Sequence, residues 1–282
     1  MNVVIEDQNK KNKGLRIFYI AIILICIISI IVAMISQIIK EDGGNISKLP
    51  ELTDDKISVY KQQFNNIFEN KVYYLKNNSY KISKIEEGKE IVYLGYQNNQ
   101  NKVNDYELDV NIPYINIKNK TTEEFNTQIK EIFEKKAKSV LNSQNNNVIY
   151  TVDYSAYVTN NILSVIVRST LKEGSNPQRD IVQTYNYDLI NQKKCTFDTM
   201  LELKGISKKE ASQKIKDEIK AIQGRVDELR TLGYPVFARD YTSDIYSVNN
   251  VTEYFMGNDN ALYIIYAYGN ENHTSEMDIV IM

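Results

Sequence analysis

The strongest limit on how this chain folds is an uncharged run of apolar residues from Ile17 to Ile39. Only Ser29, Ser36 and Gln37 interrupt it. At about 1.5 Å rise per residue, a helix of this length spans roughly 34 Å, which is enough to cross a hydrocarbon core about 30 Å thick. A buried helix of a soluble protein is rarely apolar on every face. The run therefore predicts a single transmembrane helix at residues 17–39.

The charges that flank this run predict its orientation. Four basic residues precede it and one follows it: Lys10, Lys11, Lys13, Arg16 and Lys40. Since Lys and Arg on short flanks favour the cytoplasmic side, residues 1–16 are expected to form a cytoplasmic tail. The remaining residues, about 240 of them, are then expected to lie outside the cytoplasm.

A cleaved signal peptide is the alternative reading of the same segment. Its apolar core usually has about 7–15 residues and ends at a small-x-small site. This run is longer, and its end at residues 33–36 (Ala-Met-Ile-Ser) is a poor cleavage site. Cys26 follows Ile25, where a lipid-anchor cysteine would follow a small residue. We expect an uncleaved anchor at the cell membrane.

Composition limits the kind of protein outside the membrane. The net charge is −2, which does not suit a nucleic-acid-binding surface. Of the two cysteines, Cys26 lies in the predicted span and leaves Cys195 alone outside. No intrachain disulfide is therefore expected, Cys195 is expected to be a buried thiol, and stability must come from core burial.

The chain is rich in Asn, Lys and Ile and has 21 tyrosines. In such a chain we expect the tyrosines to lie on half-buried strands. The alternative is that they stack on carbohydrate.

Hydrophobic spacing predicts an α+β fold in which helices pack on an antiparallel sheet. Strand patterns occur at residues 80–96, 106–117, 148–158, 162–171, 179–189, 251–256, 261–268 and 277–282. Asn160-Asn161 predicts a tight hairpin turn, residues 98–104 predict a polar turn, and Pro113 favours an edge position. The predicted division is a linker and helix/strand segment at 40–106, an α+β module at 107–205, and a helix-plus-strands module at 206–282.

Three helices are predicted outside the membrane. The first follows Thr53 as its N-cap. The second has a capping box at Thr121 and Glu124 and an apolar stripe that runs to Leu141. The third follows a capping box at Ser207 and Glu210 and ends near residues 233–235 (Gly-Tyr-Pro).

The residues that commonly carry catalysis are scarce. His273 is the only histidine, so neither a zinc site nor a Ser-His-Asp triad is expected. Adjacent acids occur at Glu86-Glu87, Glu123-Glu124 and Asp54-Asp55, but sequence neighbours usually point apart. We expect no catalytic, cofactor-binding or metal-binding residues and no cofactor. A wall hydrolase that works through carboxylates stays a minor alternative.

From residue 107 to the end, the order of elements resembles a known family. The segments ELDVNIPYINIKNKTTEEFNTQIKEIF, YSAYVTNNILSVIVRSTL and QTYNYDLINQKKCTFDTML are followed by the helix after Ser207. This order is similar to the extracytoplasmic region shared by RsiV-type anti-sigma factors and the non-catalytic part of PdaC-type peptidoglycan deacetylases. The best-matching residues are Asn126, Leu163-Ser164 and, at the end of a Tyr-rich strand, Tyr187, Asp188 and Leu189. All are expected to be structural.

The resemblance implies two activities, and this sequence departs from both. The deacetylases carry a further metal-dependent domain with Asp and His ligands, for which a single histidine is insufficient. The anti-sigma members bind a sigma factor through a longer cytoplasmic segment than residues 1–16. Their lysozyme-sensing members have a proline-bearing loop where this chain has residues 269–274 without proline.

The function expected from the sequence is a membrane-anchored, non-enzymatic binding or sensing module that faces the cell wall. Its partners besides the membrane would be peptidoglycan, a lysozyme-like enzyme or another envelope protein, and not nucleic acid. The first alternative is an RsiV-like anti-sigma protein that senses lysozyme. The second alternative is the carboxylate-dependent wall hydrolase.

Overall fold

The computed structural model describes residues 64, 66–73, 80–142, 147–234, 236–268 and 275–282. The predicted span at 17–39, the Asp54-Asp55 pair and His273 lie outside these residues, as do residues 53–63 of the helix predicted after Thr53. In the part that is described, no helix combines the length and apolarity needed to cross a membrane.

Within the described residues, a large sheet has seven strands. Its central strands are long and in large part buried on both faces, since apolar side chains alternate to either side of the sheet. The strands are β1 (Lys71–Tyr73), β2 (Val92–Lys102), β3 (Tyr106–Ile115), β4 (Val148–Thr159), β5 (Ile162–Glu173), β6 (Arg179–Asp188) and β7 (Lys193–Lys194). Their order is β2-β3-β4-β5-β6-β7, and β1 pairs with β4.

The predicted antiparallel sheet is correct for most pairs but not for two. β3 runs parallel to β4 over residues 106–110, and β1 runs parallel to β4 over residues 71–73. The first parallel pair arises because a helical crossover returns the chain to the same end of the sheet. β1 then pairs with the half of β4 that β3 leaves free, at residues 155–157.

The crossover between β3 and β4 consists of α1 (Lys120–Ile129), a π-helical turn (Lys130–Glu134) and α2 (Lys135–Asn142). The predicted cap at Thr121 and Glu124 is wrong: the N-cap is Asn119, whose side chain accepts from the Thr121 backbone nitrogen at 3.0 Å. Asn has a short side-chain acceptor that suits this position as well as Thr does, and α1 begins two residues earlier than predicted.

The crossover helices cover one face of the large sheet. Ile129 and Phe133 are fully buried there, together with Val165, Val167 and Tyr187 of the central strands. Fully burying one such apolar side chain stabilises the fold by about 1.5–3 kcal/mol. The apolar stripe that sequence analysis assigned to the second helix therefore provides the inner surface of this core.

A small antiparallel sheet and two helices lie on the other face. The strands are β8 (Glu253–Met256), β9 (Leu262–Ala267) and β10 (Met277–Ile281), and the helices are α3 (Phe197–Lys204) and α4 (Lys208–Thr231).

The capping box predicted at Ser207 and Glu210 is confirmed at the start of α4, where Ser207 N donates to Glu210 Oε2 at 2.8 Å. Gly233 follows α4 with a φ of 87°, which glycine adopts without strain. The short helix α3 was not predicted.

The outer edge of β8 is bonded to side chains of the large sheet. Tyr254 N donates to Thr184 Oγ1 at 3.1 Å, and Tyr254 O accepts from Asn186 Nδ2 at 2.7 Å. Met256 N donates to Ser164 Oγ at 3.0 Å. We call Ser164, Thr184 and Asn186 the docking residues. They supply the partners that a neighbouring strand would otherwise give to buried backbone groups.

Glu253, at the start of β8, joins the same contact. Its Oε2 accepts from Thr184 N at 2.7 Å and from Thr184 Oγ1 at 2.9 Å. Burial raises the pKa of this carboxyl above the ordinary value of 4.5, although the bonds from Thr184 oppose the shift.

Replacing Glu253 with Gln is expected to remove the destabilisation that ionisation of Glu253 causes in the native state at neutral pH. Because the raised pKa makes the native state bind more protons than the unfolded state, the contribution of Glu253 becomes less favourable as pH rises from 4.5 through the native pKa. Gln keeps an acceptor for Thr184 and cannot ionise. Urea unfolding between roughly pH 4 and pH 8 should show the stability of the Glu253→Gln variant rising relative to wild type with increasing pH. A constant difference would contradict the interpretation.

Two predicted turns have different outcomes. Asn160 and Asn161 join β4 to β5 with φ of 52° and 65°, as a tight hairpin requires, and the prediction is confirmed. The predicted turn at residues 98–104 is wrong in extent, because β2 continues to Lys102 and the turn centres on Asn104. The polar residues of this strand pair with β3 in continuous register, and since β2 is an edge strand, their side chains on both faces are exposed or partly exposed.

Cys195 is a buried free cysteine among the described residues, as predicted. Burial raises the pKa of its thiol to about 11, so the reactive thiolate is disfavoured. Cys195 therefore belongs to the core between the large sheet and α3.

Candidate ligand-binding cleft

A cleft of about 450 Å³ opens between the segment that precedes β1 and the loop that joins β8 to β9. Its lining combines aromatic rings with carboxylate and amide side chains. The lining residues are Asn66, Ile67, Glu69, Tyr73, Tyr157, Phe255, Gly257, Asn258, Asp259 and Tyr263. The volume is within the range of small-molecule sites in proteins.

Four aromatic rings form a stacked column along this cleft. The ring centroids of Tyr73 and Tyr157 lie 5.4 Å apart, those of Tyr157 and Phe255 6.1 Å, and those of Phe255 and Tyr263 4.7 Å. All three interplanar angles are 19° or less. We call these four residues the aromatic column. Its inner members, Tyr157 and Phe255, are buried, and its end members are partly exposed.

The column is built from two cross-strand pairs. Tyr73 of β1 lies opposite Tyr157 of β4 in the large sheet. Phe255 of β8 lies opposite Tyr263 of β9 in the small sheet. Aromatic cross-strand pairs contribute roughly 0.2–1 kcal/mol each. The docking of β8 on the large sheet brings the two pairs into one stack.

Two carboxylates at the cleft are each bonded to a tyrosine at one end of the column. The Tyr263 hydroxyl donates to Asp259 Oδ2 at 2.7 Å, and the Tyr73 hydroxyl is hydrogen-bonded to the Glu69 carboxylate. The hydrogen bond from Tyr73 lowers the pKa of Glu69, and so does the Lys71 ammonium, which lies 3.3 Å from the Glu69 carboxylate. Burial and the bond to Glu69 raise the pKa of Tyr73 to about 12, so its proton stays on the phenol at neutral pH.

The third tyrosine of the column is also bonded internally. The Tyr157 hydroxyl donates to the carbonyl of Ile67 at 3.2 Å, and burial raises the pKa of Tyr157 to about 12. Ser155 of the same strand contacts this segment too: its hydroxyl donates to Ile67 O and accepts from Glu69 N. These bonds hold residues 67–69 against β4.

The loop on the opposite side of the cleft is fixed by hydrogen bonds. Gly257 N donates to Ala261 O at 2.9 Å, and Gly257 O accepts from Thr159 Oγ1 at 3.0 Å. Asp259 Oδ1 accepts from Ala261 N at 3.0 Å. Asn260 adopts a φ of 62° and accepts from Asn160 Nδ2 at 2.7 Å. The loop therefore presents the Asp259 carboxylate in one orientation.

Replacing Gly257 with Ala is expected to destabilise this side of the cleft. A Cβ atom at Gly257 would lie 2.5 Å from Asp259 Oδ1 and 2.6 Å from Tyr263 Cε2, so the tyrosine ring or the loop must shift. We expect a loss of about 1–3 kcal/mol in the free energy of unfolding, measured by urea denaturation. The matched control is Gly224→Ala on α4, where a Cβ meets nothing within 4 Å. This control should gain about 0.5–1 kcal/mol. Equal stability of Gly257→Ala and wild type would contradict the prediction.

The acids singled out in the sequence lie away from the cleft. Glu86 and Glu87 are exposed, and Glu86 accepts from the Tyr93 hydroxyl at 2.5 Å and pairs with Lys89 at 2.7 Å. Glu123 and Glu124 are exposed near the start of α1, with Glu123 in its first turn. None of these acids lines the cleft. Across the residues described, no group of three His, Cys, Asp or Glu side chains is arranged to hold a metal ion.

The residues that carry the family resemblance make structural contacts. Asn126 bonds both backbone groups of Ile115 at 2.9 Å and so fixes the end of β3. Ser164 is a docking residue, and Asp188 accepts from the backbone nitrogens of Ile190 and Asn191. Sequence reasoning missed the cleft, because its residues come from positions 66–73, 157 and 255–263, and none forms a recognised motif.

The pKa shift of the Glu69 carboxyl has the opposite direction to that of a glycosidase general acid. A glycosidase needs one carboxyl with a raised pKa as general acid. Here the pKa of Glu69 is lowered by Tyr73 and Lys71, which is the opposite of that requirement. The carboxylates of Glu69 and Asp259 can both accept hydrogen bonds from a ligand.

No family model matches the chain, and neither does any curated protein. Among solved structures, a DUF3298 family protein from Pseudomonas aeruginosa PAO1 is similar, with a TM-score of 0.38 and 8% identity; the match covers 72% of this chain and 90% of that one. A DUF3298 family member from Bacteroides fragilis has a TM-score of 0.31 and 9% identity, with 62% of this chain and 81% of that one covered.

Proposed function

We propose that this chain is a membrane-anchored, non-enzymatic binding module that works outside the cytoplasm and faces the cell wall. The apolar run at residues 17–39 is the anchor, and the basic residues before it keep the N-terminus in the cytoplasm. The partner is a component of the envelope: peptidoglycan, a lysozyme-like enzyme or another envelope protein.

The observation that carries the proposal is the cleft beside the aromatic column. Its loop and its N-terminal segment are both held by hydrogen bonds, so the lining side chains are positioned before a ligand arrives. Preorganisation of this kind lowers the entropic cost of binding. The described residues that line the cleft offer carboxylates, amides and phenols, all of which can form hydrogen bonds with a ligand.

Binding is tested with the full-length protein in detergent micelles. The protein is sedimented with purified peptidoglycan sacculi and, separately, passed over immobilised muramidase. We expect retention by one of these, and loss of retention in Tyr263→Ala, which removes one end of the aromatic column. The matched control is Tyr234→Ala, which alters an exposed tyrosine outside the cleft. If no envelope component retains the wild-type protein, the proposal is wrong.

Topology is tested separately in intact cells. Ser175 lies in the exposed turn between β5 and β6, and the described cysteine, Cys195, is buried. A membrane-impermeant maleimide should label Ser175→Cys in intact cells, whereas wild type should stay unlabelled until it is denatured. Labelling of Ser175→Cys only after lysis would place this region in the cytoplasm and overturn the proposal.

A further inference from the structure

The outer edge of β2 differs from the strand edges that monomeric proteins usually expose. Such edges are commonly short, or carry charged residues or proline, because their unpaired N–H and C=O groups are templates for another strand. β2 has 11 residues, and from Val92 to Asn101 it contains neither a charged residue nor a proline. In the described part of the chain it pairs with β3 alone. This edge therefore lacks most of the usual protection against pairing.

A β-bulge limits the regular part of this edge to its second half. The register with β3 shifts between Leu94 and Tyr96 and is continuous from Tyr96 to Lys102. We call residues 96–102 the pairing segment. Consecutive amide side chains fill it from Gln97 to Asn101, and Asn99 is its midpoint.

One of these amides has an oxygen without a hydrogen-bond partner. Asn98 Nδ2 donates to the Tyr96 hydroxyl at 3.4 Å, whereas Asn98 Oδ1 is buried and unbonded among the described residues. A buried polar atom that lacks its partner costs about 1–3 kcal/mol. An N–H group that approached this edge and reached Asn98 Oδ1 would remove that cost.

The pairing segment is complementary to itself when two copies run antiparallel about Asn99. Asn99 then faces its counterpart, Gln100 of one copy faces Asn98 of the other, and Lys102 faces Tyr96. Directly opposed Cβ atoms lie about 4.5–5.5 Å apart, so the Gln100 side chain can donate to Asn98 Oδ1. Gln100 Oε1 accepts from the Tyr106 hydroxyl at 3.4 Å, which leaves the NH₂ group of Gln100 as the donor.

We propose that two copies of this chain associate by antiparallel pairing of residues 96–102, which joins their large sheets across a two-fold axis at Asn99. The two strands exchange about six backbone hydrogen bonds, two at each hydrogen-bonded position. Lys102 is the one charged residue of the segment, and in this register it does not face a like charge. The inference concerns assembly and is independent of the proposed binding function.

The first test places like charges across the proposed axis. Sedimentation equilibrium of the full-length protein in detergent at low salt should give a monomer–dimer equilibrium for wild type. Asn99→Lys should raise the dissociation constant at least about tenfold, because two lysines then face each other. Asp109 of β3 lies opposite Asn99, so the new lysine has a favourable partner within its own chain and the variant is expected to fold. The matched control, Asn176→Lys in the exposed turn between β5 and β6, should leave the constant unchanged.

The second test measures the register by cross-linking. Under mild oxidation, Asn99→Cys should give a disulfide-linked dimer, since opposed Cα atoms about 5.5 Å apart suit a disulfide. The control is Val103→Cys. Val103 is 82% exposed but lies beyond the pairing segment, roughly 26 Å from its counterpart along the paired strands. Wild type, in which Cys195 is buried, gives the background.

Three outcomes would overturn the inference. The first is a wild-type protein that stays monomeric over the whole concentration range. The second is a dimer that folded Asn99→Lys does not weaken, because association would then use another surface, such as the predicted membrane span. The third is cross-linking of Val103→Cys that is as efficient as that of Asn99→Cys. Thermal denaturation establishes that each variant folds, and the cross-links decide alone if Asn99→Lys does not.

Discussion

Replacing Arg239 with methionine is expected to lower the free energy of unfolding by about 3–5 kcal/mol. Only 4% of the Arg239 side chain is exposed, and its guanidinium bonds both oxygens of Asp278, at 2.9 and 3.2 Å. A third bond reaches Glu276 Oε2 at 2.6 Å. Methionine fills similar space but leaves the buried Asp278 carboxylate without its cation, and an uncompensated buried charge is costly.

The control for this prediction is Arg179→Met. Arg179 pairs with Glu173 at 2.8 Å, but half of its side chain is exposed, so the expected loss is below about 1 kcal/mol. Urea denaturation of the two variants and wild type at the same pH gives the comparison. If Arg239→Met is no less stable than Arg179→Met, the buried pair does not stabilise the fold as inferred.

Replacing Asn186 with alanine is expected to cost about 2–4 kcal/mol and to loosen the small sheet from the large one. Asn186 is 2% exposed, donates to Tyr254 O at 2.7 Å and accepts from Ser164 Oγ at 2.6 Å. Alanine leaves the Tyr254 carbonyl without this donor and the Ser164 hydroxyl without this acceptor. Each buried polar group that loses its partner costs about 1–3 kcal/mol.

The matched control for Asn186 is Gln128→Ala, which removes an exposed amide bonded to Gln183 at 2.7 Å. Its effect should be within about 0.5 kcal/mol of zero, as for most surface substitutions. Hydrogen exchange should show faster exchange of the Tyr254 and Met256 amides in Asn186→Ala, because both face the docking residues. Unchanged protection at these amides would contradict the assigned role.

The parts of the fold that sequence predicted were those with short-range signals. Asn160-Asn161 forces a tight turn, and Ser207 with Glu210 caps a helix, through contacts within four residues of chain. The cap of α1 was misplaced because Asn119 and Thr121 carry equivalent acceptors two residues apart. The extension of β2 to Lys102 was missed because strand pairing with β3, not local apolarity, makes that segment extended.

The candidate site was not predictable from the sequence because its parts meet only after two sheets pack together. Tyr73 and Tyr157 are more than 80 positions apart, and Phe255 with Tyr263 comes from a separate sheet. Tyrosine in strands was interpreted as half-buried structure, whereas Tyr157 is buried inside the aromatic column. The signal available was the short polar segment at residues 257–260 (Gly-Asn-Asp-Asn), a pattern that many surface loops share.

The side-chain bonding of β8 also decides how the small sheet can associate with other chains. Exposed sheet edges recruit foreign strands, because their free amides and carbonyls are templates for pairing. At β8 these groups are saturated by serine, threonine and asparagine from within the same molecule. An extended peptide therefore cannot lengthen the small sheet on this side, and self-polymerisation by strand exchange has no starting point there.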